Sequence, residues 1–429
     1  MLVEFRVKNF KSIRDDQVFS MIASNDKSFE DTHIIKPDGA SARLLKSAAV
    51  YGPNAGGKSN LLQAIGFMSW RLNFRRIPDS PFVDEYEKCP FFKLDTMSLN
   101  SPSEFEITFI DKGVRYQYGF SILGERVVEE WLWVYKSDKP QEWFHRKIDE
   151  RTDEDNYKFS PYFKGQKSTW QKSTKKDALF LAIATELNSK LLLPVFRWLV
   201  KLEVLDRYLS PKRVMNIYSP ELKNKRYKEI LLDFLTAADI CITDIEVITE
   251  NKEFILTGKN EIGVETRRLT ELESKKPIFI HSHDGINKRF DFEEESEGTQ
   301  RIFLLAFYIL EALERGKILI IDELESSLHP ALANFIIRLF NSADNKNGAQ
   351  LIFSTHNTGL LNIKEIFRRD QIWFVEKDAS QSTVLYSLAD FNPRKDTAIE
   401  SGYLTGRYGA IPFVTEFIPN LSEDDDGAR

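Results

Sequence analysis

"YGPNAGGKSN", residues 51–60, is the stretch on which the reading of this chain turns. Gly52 to Ser59 runs G-P-N-A-G-G-K-S and satisfies G-x-x-x-x-G-K-[ST] in full. A short apolar run, Leu44 to Tyr51, leads into it, and a helical pattern carrying Leu61, Leu62, Ile65 and Met68 leads out. Glycines let successive backbone N–H groups turn toward phosphate oxygens, and the start of a helix adds the positive end of its dipole. Lys58 is spaced to reach β and γ phosphates, and the Ser59 hydroxyl to hold magnesium. The expected nucleotide contacts are therefore Gly52, Pro53, Asn54, Ala55, Gly56, Gly57, Lys58, Ser59 and Asn60.

Three later stretches fit a triphosphate site. "ILIIDE", residues 318–323, is an apolar strand ending on two carboxylates. Taken alone such a pair is an ordinary strand end; beside a glycine loop, Asp322 reads as the magnesium residue and Glu323 as the general base. "STHN", residues 354–357, closes another apolar strand and offers His356 to sense or polarise a γ-phosphate. "SEGTQR", residues 296–301, opens a long apolar helix. It reads either as a plain N-cap or as an anion site built from Ser296, Gly298 and Gln300.

The rest of the chain supplies the frame. Val3, Phe5 and Val7 alternate like a strand, and "EFEITFI", "VRYQYGFSIL" and "EWLWVY" between Glu104 and Tyr135 predict antiparallel strands. Residues 140–178 are polar and read as an excursion from the fold. From Asp177 to Asp239 the spacing is helical, with an interruption expected at Pro194. Strand-like runs return at Ile242 to Thr257 and Lys276 to His281. The acidic and histidine strands, separated by a helix of about 15 residues, have the order of a parallel α/β sheet. The tail SEDDDGAR is expected to be disordered.

With 429 residues, 42% hydrophobic and 29% charged, the chain can bury a sizeable core as one elaborated domain or two. A net charge of −6 gives no global attraction to nucleic acid, although Lys164–Lys176 and Arg213–Lys228 are locally basic. Two separated cysteines, Cys89 and Cys241, exclude a disulfide scaffold and fit the cytoplasm. No apolar run reaches the length of a membrane span, and the first residues do not read as a signal peptide.

The order of glycine loop, insertion, serine-glycine helix start, acidic strand and histidine strand resembles the ATP-binding-cassette (ABC-type) heads of RecF, structural-maintenance-of-chromosomes and overcoming-lysogenization-defect proteins. The resemblance covers residues 1–70 and 285–375. Where that family reads close to L-S-G-G-Q, this chain departs with E-S-E-G-T-Q, in which Ser296, Gly298 and Gln300 match approximately by position. "ESSLHP", Glu325 to Pro330, stands where the family has its D-loop, with Ser326, Ser327 and His329 at a dimer seam. "MLVEFRVKNFKSIRDDQVFSMIAS", the glycine loop and "SGYLTGRYGAIPFV" look like the AAA-family ATPases of bacterial abortive-infection operons of the RloA or AbiL type.

The resemblance implies an α/β fold: an ABC-ATPase (P-loop) head with a parallel core sheet, an antiparallel β layer and a helical insertion. Residues 1–135 and 242–420 would form the head, 136–241 a mainly helical insertion and 421–429 a disordered tail. It also implies ATP and Mg2+ as cofactors, with Lys58, Glu323 and His356 catalytic, Ser59 and Asp322 on the metal, and Ser296, Gly298 and Gln300 on nucleotide held by a second copy. A homodimer or higher homo-oligomer would then control a separate, nuclease-like effector encoded nearby, in defence against phage. About 70 residues follow His356, too few for an added nuclease domain of usual size. Asp390 and Asp396 read as surface loop residues. The alternatives are a RecF-like DNA-binding repair or tethering ATPase and a scaffold that uses ATP as glue. "GRYGAIPF", residues 406–413, reads as a turn packing Tyr408 and Phe413 on the core, or as an effector-docking surface.

Overall fold

The computed structural model describes residues 1–39, 42–73, 89–136, 139–206, 208–259, 265–394 and 397–412. The expectations for Asp396, Phe413 and the 421–429 tail lie outside them. In chain order the first strands are β1 (Leu2–Lys8), β2 (Gln17–Ser20), the short β3 (Ile34–Ile35) and β4 (Leu44–Leu45), and β5 (Ser47–Tyr51), followed by helix α1 (Lys58–Asn73). Next come β6 (Ser103–Asp111), β7 (Val114–Leu123), β8 (Arg126–Tyr135), β9 (Gln141–Asp149) and β10 (Glu154–Phe159). Helices α2 (Lys167–Ser173), α3 (Phe180–Glu186) and α4 (Leu193–Leu199) precede β11 (Val204–Leu205), α5 (Pro211–Tyr218) and α6 (Lys225–Ala237). A long hairpin, β12 (Asp244–Lys259) and β13 (Glu265–His283), carries β14 (Ile286–Asp291) on its edge. The last part is α7 (Glu297–Arg315), β15 (Ile318–Ile321), α8 (Pro330–Phe340), β16 (Gln350–Ser354), β17 (Ile372–Lys377), β18 (Thr383–Ser387) and α9 (Ile399–Leu404).

The central sheet has the order β11-β15-β16-β5-β17-β18, parallel except for the β17–β18 pair. Its inner strands are apolar through their middles because both faces are covered. Ala48, Val50, Ile320, Ile352 and Val375 face one core with α1 and the second sheet, while Ala49, Tyr51, Ile321, Phe353 and Phe374 face another with α5 to α8. One-residue alternation thus divides each strand between two hydrophobic clusters. The second sheet, β10-β9-β8-β7-β6-β1-β2, is antiparallel throughout. The α/β class, the parallel core and the antiparallel layer are as the sequence led one to expect.

Three local expectations change. The polar excursion at 140–178 is sheet in its first half, since Trp143 and Phe144 turn inward from β9 and are buried, and Phe163 packs beside them. Pro194 does not interrupt a helix but stands in the first turn of α4, where its missing N–H costs nothing; the preceding break falls at Asn188, whose φ is 65°. Residues 204–205 leave the helical stretch to pair with β15, so this segment is woven into the central parallel sheet.

Candidate functional site

Parallel strands deliver their C-terminal ends to one edge, where open α/β sheets bind ligands. Here the edge receives the glycine loop after β5, Asp322 and Glu323 after β15, and Thr355 and His356 after β16. The histidine strand lies between the other two. Lys58, buried at the start of α1, donates from Nζ to the carbonyls of Gly52 (2.9 Å) and Pro53 (3.2 Å). Burial lowers its pKa, and the charges of Asp322, Glu323 and Glu325 partly oppose that shift.

Ser354, the last residue of β16, organises the acidic strand. Its hydroxyl donates to Asp322 Oδ1 at 2.5 Å and accepts the N–H of Glu323 at 2.8 Å. Glu323 has φ 52°, a left-handed conformation that costs a non-glycine residue about 1–2 kcal/mol and persists only when its surroundings enforce it. Ser354 enforces it. Its carbonyl takes the N–H of Leu324 (3.1 Å) as well.

Glu325 adds a third carboxylate. Its Oε1 accepts the backbone N–H of His356 at 2.5 Å, and its Oε2 is enclosed with no hydrogen-bond donor among the described residues. The His356 pKa is lowered, first by loss of water around the ring and then by the Lys58 charge, with Glu325, Glu323 and Asp322 pulling the other way. The imidazole is therefore neutral at pH 7. Lys58, Asp322, Glu323, Glu325 and His356 share one electrostatic neighbourhood.

The glycine loop is braced from behind. Thr383 of β18, buried, donates from Oγ1 to the carbonyl of Gly56 at 2.9 Å, and a Cβ on Gly57 would lie 2.2 Å from the same oxygen. Gly57 has φ 112°, so glycine is required there for conformation and for space. Asn60 donates to Ser12 Oγ at 2.6 Å. Beside this brace lies a hollow of about 510 Å³ whose lining includes Lys11, Ser12, Asn60, Phe91, Lys93 and Lys377.

Ser296, Gly298 and Gln300 form a separate group. Ser296 caps α7, accepting the N–H of Thr299 at 3.1 Å, and Gln300 donates to the carbonyl of Glu295 at 2.9 Å. A Cβ on Gly298 would stand 3.1 Å from the carbonyl oxygen of Ser327, so α7 starts against the Glu325–Pro330 segment of its own chain. Among the described residues, no hydrogen bond runs from these three to the glycine loop. Ser296 is exposed. His329 caps α8 by accepting the N–H of Ala331 (3.2 Å).

Sequence reasoning missed Ser354 and Thr383, and it placed Glu325 only at the D-loop. Ser354 was open to inference, as the first polar residue after LIF on the strand that ends at His356. Thr383 carried no local sign. Tyr408, by contrast, is buried and stacks on Phe374 with ring centroids 6.1 Å apart, as the packing reading of its turn expects of Tyr408.

A family model described as "AAA domain, putative AbiEii toxin, Type IV TA system" matches residues 47–362, well over half the chain. The chain belongs to this AAA family. The family span runs from β5 through β16 and takes in the glycine loop, the α7 start, the acidic strand and His356; β1, β2, β17 and β18 fall outside it. Comparison with curated proteins gives no match. Among solved structures the chain is similar to the SMC head domain from Thermotoga maritima, at 13% identity and TM-score 0.39 over 90% of this chain and 98% of that one. It is also similar to an SMC head bound to the C-winged helix domain of ScpA, at 14% identity and TM-score 0.42 over 90% and 97%. No helix among the described residues is long and apolar enough to cross a membrane.

Proposed function

We propose that this chain binds and hydrolyses ATP between two copies of itself, and that the resulting change of assembly state controls a separate effector protein. The observation that carries the first half is the convergence of Lys58, Asp322, Glu323, Glu325 and His356 on one edge of the parallel sheet. The loop N–H groups and Lys58 bind the phosphates, Lys58 exchanging its contacts to the Gly52 and Pro53 carbonyls for phosphate oxygens. The donor set suits magnesium, with a hydroxyl at Ser59 and a carboxylate oriented at Asp322 by Ser354; the ion supplies charge neutralisation at the phosphates. Glu323 takes a proton from water as the water oxygen attacks the γ-phosphorus and the bond to the leaving ADP oxygen breaks. Neutral His356 donates a hydrogen bond to the γ-phosphate.

The placement of α7 supports a second copy. Ser296 is exposed at the head of a 19-residue helix and unconnected to its own glycine loop; its hydroxyl, bonded to the N–H and Oγ1 of Thr299, would exchange those contacts for phosphate held by another chain. Two chains paired head to tail then share the ligand, and hydrolysis removes what joins them. Light scattering tests this directly. Glu323→Gln is expected to accumulate as a dimer with ATP and magnesium, and Lys58→Ala to remain monomeric. A Glu323→Gln protein that stays monomeric at saturating ATP sinks the sandwich.

The family description, which names a putative AbiEii toxin of a type IV toxin–antitoxin system, supports a role in abortive infection; control of a separate effector is our proposal beyond it. Co-purification with the product of the adjacent gene, with and without ATP, tests it. Ion pairs take up part of the two basic stretches, Arg213 with Glu203 (2.6 Å), Lys228 with Asp244 and Lys176 with Asp153, and to that extent weigh against DNA as the main partner. Salt-dependent duplex binding by the purified protein would reinstate that reading.

A further inference from the structure

We infer that Thr383 is a positioning residue for the nucleotide site: through a directed chain of hydrogen bonds it aims the Gly57 N–H at the phosphates. The inference rests on the ATP-binding reading above. Five groups from three distant parts of the chain meet behind the glycine loop. Thr383 Oγ1 lies 2.9 Å from the Gly56 carbonyl oxygen, 2.8 Å from Ser12 Oγ and 3.2 Å from Lys377 Nζ. Ser12 Oγ also receives Asn60 Nδ2 at 2.6 Å.

Proton counting orders these contacts. A hydroxyl has one hydrogen to give. That of Thr383 goes to the Gly56 carbonyl, an acceptor only, so Ser12 donates to Thr383 and Lys377 is its second donor. Ser12 in turn accepts from Asn60. The bonds run one way, Asn60 to Ser12 to Thr383 to Gly56, and such chains strengthen through mutual polarisation.

The consequence is geometric. In a planar trans peptide the carbonyl and the following N–H point in opposite directions, and no cis peptide occurs among the described residues. Drawing the Gly56 carbonyl toward β18 therefore turns the Gly57 N–H to the other side of the loop. Among the described residues that N–H has no acceptor, and at this point of a phosphate loop it is free for a ligand oxygen. Thr383 is itself fixed in place, being 1% exposed and having its own N–H bonded to the Ser12 carbonyl at 2.8 Å. Both Ser12 and Thr383 lie outside residues 47–362, the span of the family match.

The test pairs two substitutions. Thr383→Val keeps the shape and removes the hydroxyl; Thr383→Ser keeps the hydroxyl. Titration with a fluorescent ATP analogue is expected to show binding about tenfold weaker for Thr383→Val, the scale of one lost hydrogen bond, and within about twofold of the parent for Thr383→Ser. KM for ATP should rise with the weakened binding while kcat moves by less than about threefold, a split that general loosening of the fold does not give. Ser12→Ala, which cuts the chain one step away, should weaken binding by about threefold even if Thr383→Val does not fold. Parent-like binding by Thr383→Val or Ser12→Ala, or equal loss in Thr383→Ser and Thr383→Val, overturns the inference. A parent protein that fails to bind the analogue, or binds it no better than Lys58→Ala does, overturns the ATP reading instead.

Discussion

Two regions of this molecule place charge inside the protein, and they do so differently. In the antiparallel sheet, Glu130 and Arg146 are both fully buried. Glu130 accepts the N–H groups of Phe180 (2.6 Å) and Leu181 (2.9 Å) and the hydroxyl of Tyr118 (3.0 Å); Arg146 donates to the Ala178 carbonyl (2.6 Å) and to Asp155 (2.7 Å). These partners tie the start of α3 to β8 and β9. At the edge of the parallel sheet, Lys58 leans on loop carbonyls, Glu325 keeps an oxygen without a donor among the described residues, and His356 is exposed. The lesson concerns where spare capacity lies. Arg146 Nε and Glu325 Oε2 both lack a partner among the described residues, so place decides: the first is sealed between sheet and helix, where its other bonds fasten elements, and the second stands at the sheet edge that can receive a ligand.

That contrast can be broken most decisively at Glu323 and Arg146. Glu323→Gln should lower ATP turnover by about 10²–10⁴-fold, the range for loss of a general base, with the melting temperature unchanged. Steady-state phosphate release and a thermal melt on one sample check both halves. Arg146→Met should do the reverse. Removing one partner of a buried ion pair costs about 3–5 kcal/mol, so denaturant unfolding should shift by that much while ATP affinity of the folded fraction is kept. If Arg146→Met abolished ATP binding in folded protein, the division between fastening and ligand-handling charges would be wrong.

Smaller effects sharpen the picture. Ser354→Ala removes the hydroxyl that orients Asp322 and holds Glu323 in its left-handed conformation, and turnover should fall about tenfold with ATP affinity little changed. Parent-like turnover would show that Glu323 needs no such brace. The smallest effect is on proton affinity at His356. Partial loss of water around the ring and the Lys58 charge hold its pKa below the ordinary value of 6.5, so the folded chain resists protonation and this residue begins to withdraw stability only as pH falls through that ordinary value. Removing the positive charge in Lys58→Met should raise the His356 midpoint, read by NMR titration of the imidazole. A downward shift or none would separate the two groups.

Much of the site was legible because its pieces are local. Gly52 to Ser59, Ile318 to Glu323 and Ser354 to Asn357 each carry their chemistry within four to eight consecutive residues, and backbone geometry alone places such residues at a loop, a helix start or a strand end. The antiparallel strands were legible from alternation, except at 141–159, where the polar residues of the outward face hid the inward Trp143 and Phe144.

The sequence by itself determined that this chain has a glycine loop, an acidic strand and a histidine strand in that order, since each is a short-range pattern. Only the tertiary structure decided that the histidine strand lies between the other two, that Ser354 clasps Asp322 and Glu323, and that Thr383 braces Gly56 from 327 residues away. The physical reason is that a hydrogen bond between distant segments depends on how the whole sheet is ordered, and nothing in the neighbourhood of either residue records its partner.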